Sequence, residues 1–277
     1  MSVSTATSNY LGMQFKQPWF VIRAADYFSV ALSNDPSISH FYSFVSDASD
    51  TLTFTIPDGC IDIFFDCDEM NPSVGVYGTR TRASYHDLPQ GHRFVGVRFA
   101  PGFMPDFLKI SSDELIDTNC DLLEVTSKAE RLFELVVREK SFANQVALIK
   151  QFLQEKAAPR LSSKLTLPVV NKICAEKGNL CIKDLEALTG YTNRTLLRSF
   201  QRDMGMSPKA FARIIRCQSA VYKIHHDALA FSDLATDLGF SDQSHFLREF
   251  KQLVSTTPLD YQKQVRQDSF VQKMRYY

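Results

Sequence analysis

The chain has 277 residues, of which 44% are hydrophobic and 22% are charged, and its formal net charge is zero. These ordinary globular values exclude a disordered or fibrous protein, and the length favours two domains over one. The charge is unevenly divided, because residues 1–164 carry 15 Lys and Arg against 20 Asp and Glu, whereas residues 165–277 carry 16 against 11. A basic second half indicates that this half meets a polyanion.

The six cysteines match no zinc-binding spacing, since the sequence has no Cys-x-x-Cys pair and no His-x-x-x-His pair. We therefore expect no metal and no cofactor. No apolar stretch at the N-terminus is typical of a signal peptide, and no run approaches eighteen apolar residues. These patterns predict a cytoplasmic protein with no membrane contact.

Strand patterns dominate the first 110 residues. Residues 54–56 precede a Pro-Asp-Gly turn at 57–59, and in the following segment, 60–65, apolar side chains alternate with period two. The alternation places Ile61, Ile63 and Phe65 on one face of a strand. A second strand is predicted over 94–99, and short aromatic-rich strands at this spacing favour a barrel or sandwich.

Helical spacing replaces the strand pattern after about residue 113. Residues 128–140 and 144–156 predict two amphipathic helices. Their inward sets are Leu132, Leu135 and Val136 in the first helix, and Val146, Ile149, Phe152 and Leu153 in the second. The segment from 157 to 163 breaks the pattern and is interpreted as an interdomain linker.

Two segments of the second half resemble each other at a period near fifty residues. Residues 184–200 and 233–250 each contain a short helix, a glycine, an aromatic residue, a hydroxyl residue and an amphipathic helix. The aromatic residue, Tyr191 or Phe240, is expected to pack beneath the turn. Such repetition predicts two helix-turn-helix units.

Each repeat contains residues that end one helix and open the next. Gly190 and Gly239 suit the left-handed conformation found after a helix C-terminus. Thr192 and Ser241 follow where an N-cap hydroxyl is expected. The second helix of each unit is then positioned to enter a major groove of DNA.

The faces of the two second helices separate into apolar and polar sets. The apolar sets, expected to face the core, are Leu196 and Phe200 in the first unit, and Phe246, Phe250 and Leu253 in the second. The outward sets are Arg194, Arg198 and Arg202, and then Gln243, Ser244, Leu247, Arg248 and Lys251. Arginine suits bidentate contact with guanine and glutamine with adenine, so these faces indicate base recognition.

The second unit contains the run Gly-Phe-Ser-Asp-Gln-Ser-His-Phe over 239–246, followed by Arg248 and Phe250. With the first unit's Gly-Met-Ser-Pro over 205–208, these motifs make residues 165–264 similar to the C-terminal domain of the AraC/XylS family of transcriptional regulators. The resemblance implies seven helices, with one rod from Pro208 to about His225 joining the units. One departure is that Leu-Val-Ser-Thr at 253–256 stands where the family usually has a glycine.

The first half resembles the β-rich regulatory domain of many such regulators, through the segments 57–62 and 96–102. The expected fold class is α+β with two domains. Residues 1–160 form a barrel-like, cupin-like regulatory, effector-binding and dimerisation domain plus helices, and residues 165–277 form an all-α DNA-binding domain. Its helix-turn-helix motifs are expected at about 181–204 and 231–253, and the helices between 113 and 157 would provide dimer contacts by analogy.

The resemblance also implies partners and contact residues. We expect a sequence-specific regulator, an activator by family precedent, that binds double-stranded promoter DNA as a homodimer and acts with RNA polymerase. The residues expected to contact DNA are Thr192, Asn193, Arg194, Leu197, Arg198, Arg202, Asp242, Gln243, Ser244, Leu247, Arg248 and Lys251.

Three hypotheses remain for the first half. As a small-molecule sensor it would offer Arg80, Arg82, Arg98, His86 and His92 as polar handles, although the sequence identifies no effector site. Alternatively, these are exposed charges around a filled barrel that only dimerises or binds a protein partner. An enzyme is the disfavoured hypothesis, because the two histidines lie far from any acidic partner motif and the pair of cysteines at 60 and 67 makes no metal-binding cluster.

Overall fold

The structure is a computed structural model that describes residues 17–48, 53–156, 159–160, 165–226, 230–267 and 270–277. The strands are β1 (Phe28–Leu32), β2 (Ile38–Val45), β3 (Thr53–Thr55), β4 (Asp62–Asp66), β5 (Ser73–Tyr77), β6 (Ser84–His86), β7 (Arg93–Phe99), β8 (Met104–Pro105), β9 (Asn119–Asp121), β10 (Pro159–Arg160) and β11 (Met274–Tyr276). The helices are α1 (Pro18–Ile22), α2 (Leu122–Val125), α3 (Glu130–Arg138), α4 (Phe142–Lys156), α5 (Thr166–Ala175), α6 (Ile182–Thr189), α7 (Asn193–Met204), α8 (Pro208–His226), α9 (Phe231–Asp237), α10 (Gln243–Val254), α11 (Pro258–Gln267) and α12 (Phe270–Lys273).

Seven strands make one sheet in the order β11-β1-β2-β7-β4-β5-β9, and two ribbons pair β3 with β6 and β8 with β10. The sheet is antiparallel except where β11 joins β1. Between β4 and β7 the register places Asp62 opposite Arg98 and Phe64 opposite Gly96. A side chain at Gly96 would collide with the ring of Tyr42, so the glycine makes room for this aromatic residue.

Both faces of the large sheet are buried. As the alternation predicts, Ile61, Ile63 and Phe65 share one face, where they belong to the core beneath α3 and α4. The opposite face carries an aromatic cluster in which the ring centroids of Phe64 and Phe94 lie 4.9 Å apart. This cluster continues into a core that the helices of the second half complete.

The two amphipathic helices predicted before the linker are present as α3 and α4. The four inward residues predicted for α4 are buried, as are Leu132 and Val136 of α3. The prediction was wrong for Leu135, which is 41% exposed. The reason is that α3 meets the core along the i, i+4 line through Leu132 and Val136.

Within the described residues of the second half, α5 to α11 correspond to the seven helices that the family resemblance implies, and the short helix α12 follows them. Helix α8 is the long rod between the units. The predicted fold class, with a β-rich first domain and a helical second domain, is confirmed. Of the predicted linker over 157–163, only 159–160 falls within the described residues, where it pairs with β8. The rest of that prediction lies outside them.

The last strand returns to the first half, which the sequence did not predict. Strand β11 runs parallel to β1, with Met274 opposite Phe28. Just before it, the Lys273 ammonium donates to the carbonyls of Ile22 at 2.7 Å and Ala24 at 2.8 Å. These contacts tie the chain's last residues to the sheet and to the end of α1.

The first half rests on α8. The Gln218 side-chain amide donates to the carbonyl of Pro57 at 2.7 Å, and the backbone of Gly59 lies against the ring of Phe211. Trp19 and Tyr261 make an edge contact with centroids 5.8 Å apart. Because two apolar cores contain residues from both halves, α8 is a shared spine.

Candidate DNA-binding surface

The first helix-turn-helix unit is formed by α6 and α7. The backbone N–H of Cys181 donates to Asp184 Oδ2 at 2.9 Å, which fixes the start of α6. Gly190 ends that helix with φ of +72°, as predicted. The turn is closed by Glu186, whose Oε1 accepts the N–H of Asn193 at 2.6 Å. The carboxylate of Glu186 therefore supplies an acceptor at the start of the recognition helix.

Thr192 occupies the N-cap position of α7, but its side chain makes no cap hydrogen bond. Its hydroxyl instead lies 3.3 Å from the hydroxyl of Thr195. Tyr191, predicted to pack beneath the turn, is 54% exposed, so that prediction was wrong for the first unit. Both side chains therefore stand at the solvent-facing start of the recognition helix.

The faces of α7 agree with the predicted separation. Leu196 and Phe200 are buried, as is Met204 one turn later. Arg194 and Arg198 are exposed on the outer face, where Leu197 is 38% exposed. Arg202 is also exposed, but its Nε lies 2.8 Å from Asp203 Oδ1. This ion pair distinguishes Arg202 from the two arginines before it.

The second unit is formed by α9 and α10, and its N-cap differs from the prediction. Asp242 caps α10 by accepting the N–H of His245 at 2.7 Å, whereas Ser241 donates its hydroxyl to Asp242 Oδ2 at 3.1 Å. The hydrogen bond from the backbone N–H of His245, with that from the Ser241 hydroxyl, lowers the pKa of Asp242. Asp242, expected as a DNA contact, thus has a structural role at the helix start.

The outer face of α10 exposes Gln243, Ser244, Arg248 and Lys251. Phe246, Phe250 and Leu253 are buried as predicted. Leu247 was expected to face solvent, but it is half-buried and packs against the core shared with the first half. The recognition face of α10 is consequently narrower than predicted and more polar.

Arg216 links the two units, and sequence reasoning missed it. From α8 its guanidinium donates to the carbonyl of Gly178 at 3.0 Å and of Gly239 at 3.3 Å. It also lies 5.2 Å from the centroid of Phe240, which is buried beneath its turn as predicted. All three contacts are to backbone carbonyls or to an aromatic ring, so no pattern of charges in the sequence could predict them.

Comparisons with known proteins agree with this geometry. A family described as a helix-turn-helix domain matches residues 185–264, and a domain of unknown function (DUF6597) matches residues 34–121. The uncharacterized HTH-type transcriptional regulator YbfI of Bacillus subtilis is 31% identical over 135 residues, which is 44% of this chain and 48% of YbfI. The HTH-type transcriptional activator RhaR of Escherichia coli K12 is 28% identical over 107 residues, which is 38% of this chain and 34% of RhaR. Residues 185–264 form a helix-turn-helix domain of the AraC type.

Among solved structures, a probable AraC family transcriptional regulator from Rhodopseudomonas palustris CGA009 is 30% identical to this chain. The match covers 36% of this chain and 96% of that one, with a TM-score of 0.34. The chain spans less than half the length of the curated relatives just named. The similarity to YbfI and RhaR thus concerns parts of those proteins, and the AraC-type domain is the part that the helix-turn-helix family describes.

Outside the AraC-type domain, the predicted polar handles of the first half do not form a single group. Arg98 was considered either as a polar handle for a ligand or as an exposed charge, but it is buried and binds two carboxylates, with Nη1 3.0 Å from Asp58 and Nη2 2.9 Å from Asp62. Burial alone would lower the pKa of Arg98, yet the charges of Asp62 and Asp58 outweigh it and raise that pKa. Arg98 is therefore a structural ion-pair centre at the base of the turn that meets α8.

The buried ion pairs continue into neighbouring polar groups. The Tyr42 hydroxyl donates to Asp62 at 2.9 Å, and the Gln17 amide donates to Asp58 at 2.7 Å. Burial, with the nearby charge of Arg98, lowers the pKa of His40 to about 3. His40 is therefore neutral at physiological pH.

His92 also differs from its prediction. Its Nδ1 lies 2.8 Å from Asp66, and its Nε2 lies 3.6 Å from Asp68. The expectation that it stands apart from acidic groups was therefore wrong, because the two carboxylates flank the end of β4 next to β7. Within the described ranges, no group of three or more His, Cys, Asp or Glu is arranged to hold a metal ion. In the same residues, no helix is both long and apolar enough to cross a membrane.

Proposed function

We propose that this protein is a sequence-specific DNA-binding regulator of transcription that places α7 and α10 in successive major grooves. The observation that carries the proposal is the pair of exposed polar faces on the second helices of two matched units. The rod between them, α8, has 19 residues and is therefore about 28 Å long at the usual rise per residue. That length supports two contacts about 34 Å apart, the repeat of the DNA helix.

The two faces support different roles. Arg194 and Arg198 offer the geometry that binds guanine, while Leu197 offers an apolar contact for a thymine methyl group. At the start of α7, we assign the exposed side chains of Thr192 and Asn193 to phosphate contacts. We propose that the first unit supplies mainly charge-driven anchoring, with Arg202 limited to a phosphate contact by its ion pair.

The second face is more varied in its chemistry. Gln243 and Arg248 suit adenine and guanine respectively, and Ser244 can bond to either a base or a phosphate. We assign Lys251, which is exposed farther along α10, to a phosphate contact. We propose that this unit supplies more of the discrimination between sequences.

The test begins by sequencing genomic DNA fragments that the purified protein retains. On a retained site, Arg198→Ala and Arg248→Ala should each weaken binding by about 1–3 kcal/mol and relax the preference at one base pair. Arg131→Ala is the matched control, since Arg131 is an exposed arginine on helix α3 of the first half. Wild-type affinity and selectivity in both recognition-helix variants, measured by footprinting titration, would contradict the groove assignment.

We further propose that the protein is a homodimer that activates transcription together with RNA polymerase. RhaR, one of the similar curated proteins, is described as a transcriptional activator, and this supports the direction of the effect. Run-off transcription from a promoter that carries a retained site should increase when the protein is added, and sedimentation with the DNA should give two chains per site. Reduced transcription would assign repression, and one chain per site would exclude the dimer.

A further inference from the structure

Three arginines of the described residues are at least nine-tenths buried, and one of them is unpaired. Arg23, Arg80 and Arg98 are 5%, 8% and 3% exposed. Arg23 forms an ion pair with Asp47, and Arg98 binds two carboxylates. Arg80 makes no hydrogen bond or ion pair with any part of the chain that the structure describes, and its buried Nε has no partner.

A second unpaired donor lies four residues farther along, on the inner face of β6. In this strand Tyr85 points outward and is 57% exposed, so Ser84 and His86 share the opposite face. The hydroxyl of Ser84 is buried and has no hydrogen-bond partner among the described residues. Arg80, Ser84 and His86 thus present polar groups whose hydrogen-bonding capacity the surrounding chain does not use.

The neighbours of these groups are mostly aromatic. The ring of His86 lies 5.1 Å from that of Tyr77 and 5.8 Å from that of Phe64. Burial, with the charge of Arg80, lowers the pKa of His86 to about 4, so its ring is neutral at physiological pH and can donate one hydrogen bond. A neutral imidazole beside a cation adds a donor without adding charge.

Asp117, the acidic group whose charge acts most strongly on Arg80, does not bind the guanidinium. Asp117 attracts Arg80 electrostatically, but its two oxygens accept the N–H of Thr81 at 2.8 Å and the hydroxyl of Thr81 at 2.6 Å. A buried cation with no hydrogen-bonded partner is strongly unfavourable. An unpartnered buried group of this kind calls for an explanation, and a bound ion is one.

We propose that Arg80, Ser84 and His86 bind an oxyanion, the carboxylate or phosphate group of a small molecule. The planar guanidinium matches both groups through two parallel hydrogen bonds. The Nε is buried, and Arg80 as a whole keeps 8% of its surface exposed. In the proposed site the ligand binds the two Nη atoms at the end of the guanidinium. The aromatic rings beside His86 would accept a flat apolar body attached to a carboxylate.

The proposed site adjoins the core that leads to the DNA-binding helices. Phe64 and Tyr77 pack in the same apolar cluster as Phe246 and Leu247 of α10. We therefore expect a bound anion to change DNA affinity, and this step alone rests on the proposed function. Anion binding itself can be measured without DNA.

The experiment compares the melting temperature of the full chain in phosphate, in benzoate and in chloride at one ionic strength. At tenfold excess over Kd, the bound anion should raise the melting temperature by about 3–6 °C. Arg80→Met should abolish the shift, whereas Arg82→Met, which removes the exposed arginine two residues away, should keep it. A shift with phosphate alone or benzoate alone identifies the source of the oxyanion.

A second measurement separates ligand binding from a structural role. Without added oxyanion, Arg80→Met should melt no lower than the unsubstituted protein, since it removes an unpaired buried cation. The proposal is overturned if neither anion raises the melting temperature, if Arg80→Met keeps the shift, or if Arg80→Met melts several degrees lower in chloride. Loss of DNA binding with the anion shift intact would instead count against the proposed function and leave this site standing.

Discussion

Ser255 ends α10 in the left-handed conformation, with φ of +69°. Gly205 ends α7 in the same way, fifty residues earlier, with φ of +68°. Glycine adopts this conformation without steric cost, whereas a residue with a Cβ atom pays about 1 kcal/mol or more. The lack of a glycine in the segment 253–256 therefore has a physical consequence, because the second recognition helix ends on a strained residue.

Ser255→Gly should raise the free energy of unfolding by about 1 kcal/mol, measured by urea denaturation. Ser232→Gly is the control, because Ser232 is an exposed serine within helix α9. There the same change should lower stability by about 0.5 kcal/mol, as glycine is a poor helix former. A loss of stability in both variants would show that the left-handed turn at Ser255 carries no strain.

Most of the side chains that face outward on the recognition helices could be predicted, because helical period alone separates Arg198 from Phe200. Leu247 is an exception, since it packs against the core. The ion-pair partners of Arg98 could not be predicted from the sequence. Its ion pair with Asp62 depends on the register of two strands, and its contact with Asp58 depends on how a turn folds back. The sequence analysis considered Arg98 only as a ligand handle or an exposed charge, because pairing across strands leaves no local pattern.

At the scale of elements, the predictions succeed where a segment is long enough to show a period. The rod α8 and the amphipathic helix α4 were predicted nearly to their ends, as was the strand around Ile63. The three-residue strands β6 and β11 show no period, and their existence depends on a partner far along the chain. Their pairing is a tertiary effect that short segments cannot encode.

The distant pairing of β11 changes how the elements are grouped. A boundary near residue 160 divides the chain by composition, yet the last strand adds to the sheet of the first half. Lys273 reinforces this return by donating to two carbonyls at the end of α1. The helical half is therefore connected to the first half at two places. One is the contact of α8 with the turn at 57–59, and the other is the strand formed by residues 274–276.

At the scale of the whole molecule, these connections imply one cooperative unit. Trp19, the single tryptophan of the chain, packs with Tyr261 in a core that both halves build. Domains that share a core of this kind unfold together, unlike domains joined only by a linker. The fluorescence of Trp19 and the far-ultraviolet ellipticity of the helices should therefore change at the same urea concentration.

Two glycine variants test whether the contact between the turn at 57–59 and α8 makes the two halves unfold together. Gly59 has φ of +78° and a Cβ there would lie 2.4 Å from the ring of Phe211, whereas Gly91 has φ of +74° and nothing within 4 Å. Alanine at either position should cost about 1 kcal/mol of backbone strain. Gly59→Ala should lose a further 1–3 kcal/mol by overpacking against α8, and its fluorescence and ellipticity transitions should separate. Equal losses in the two variants, with coincident transitions in both, would show that the turn at Gly59 does not hold the halves together.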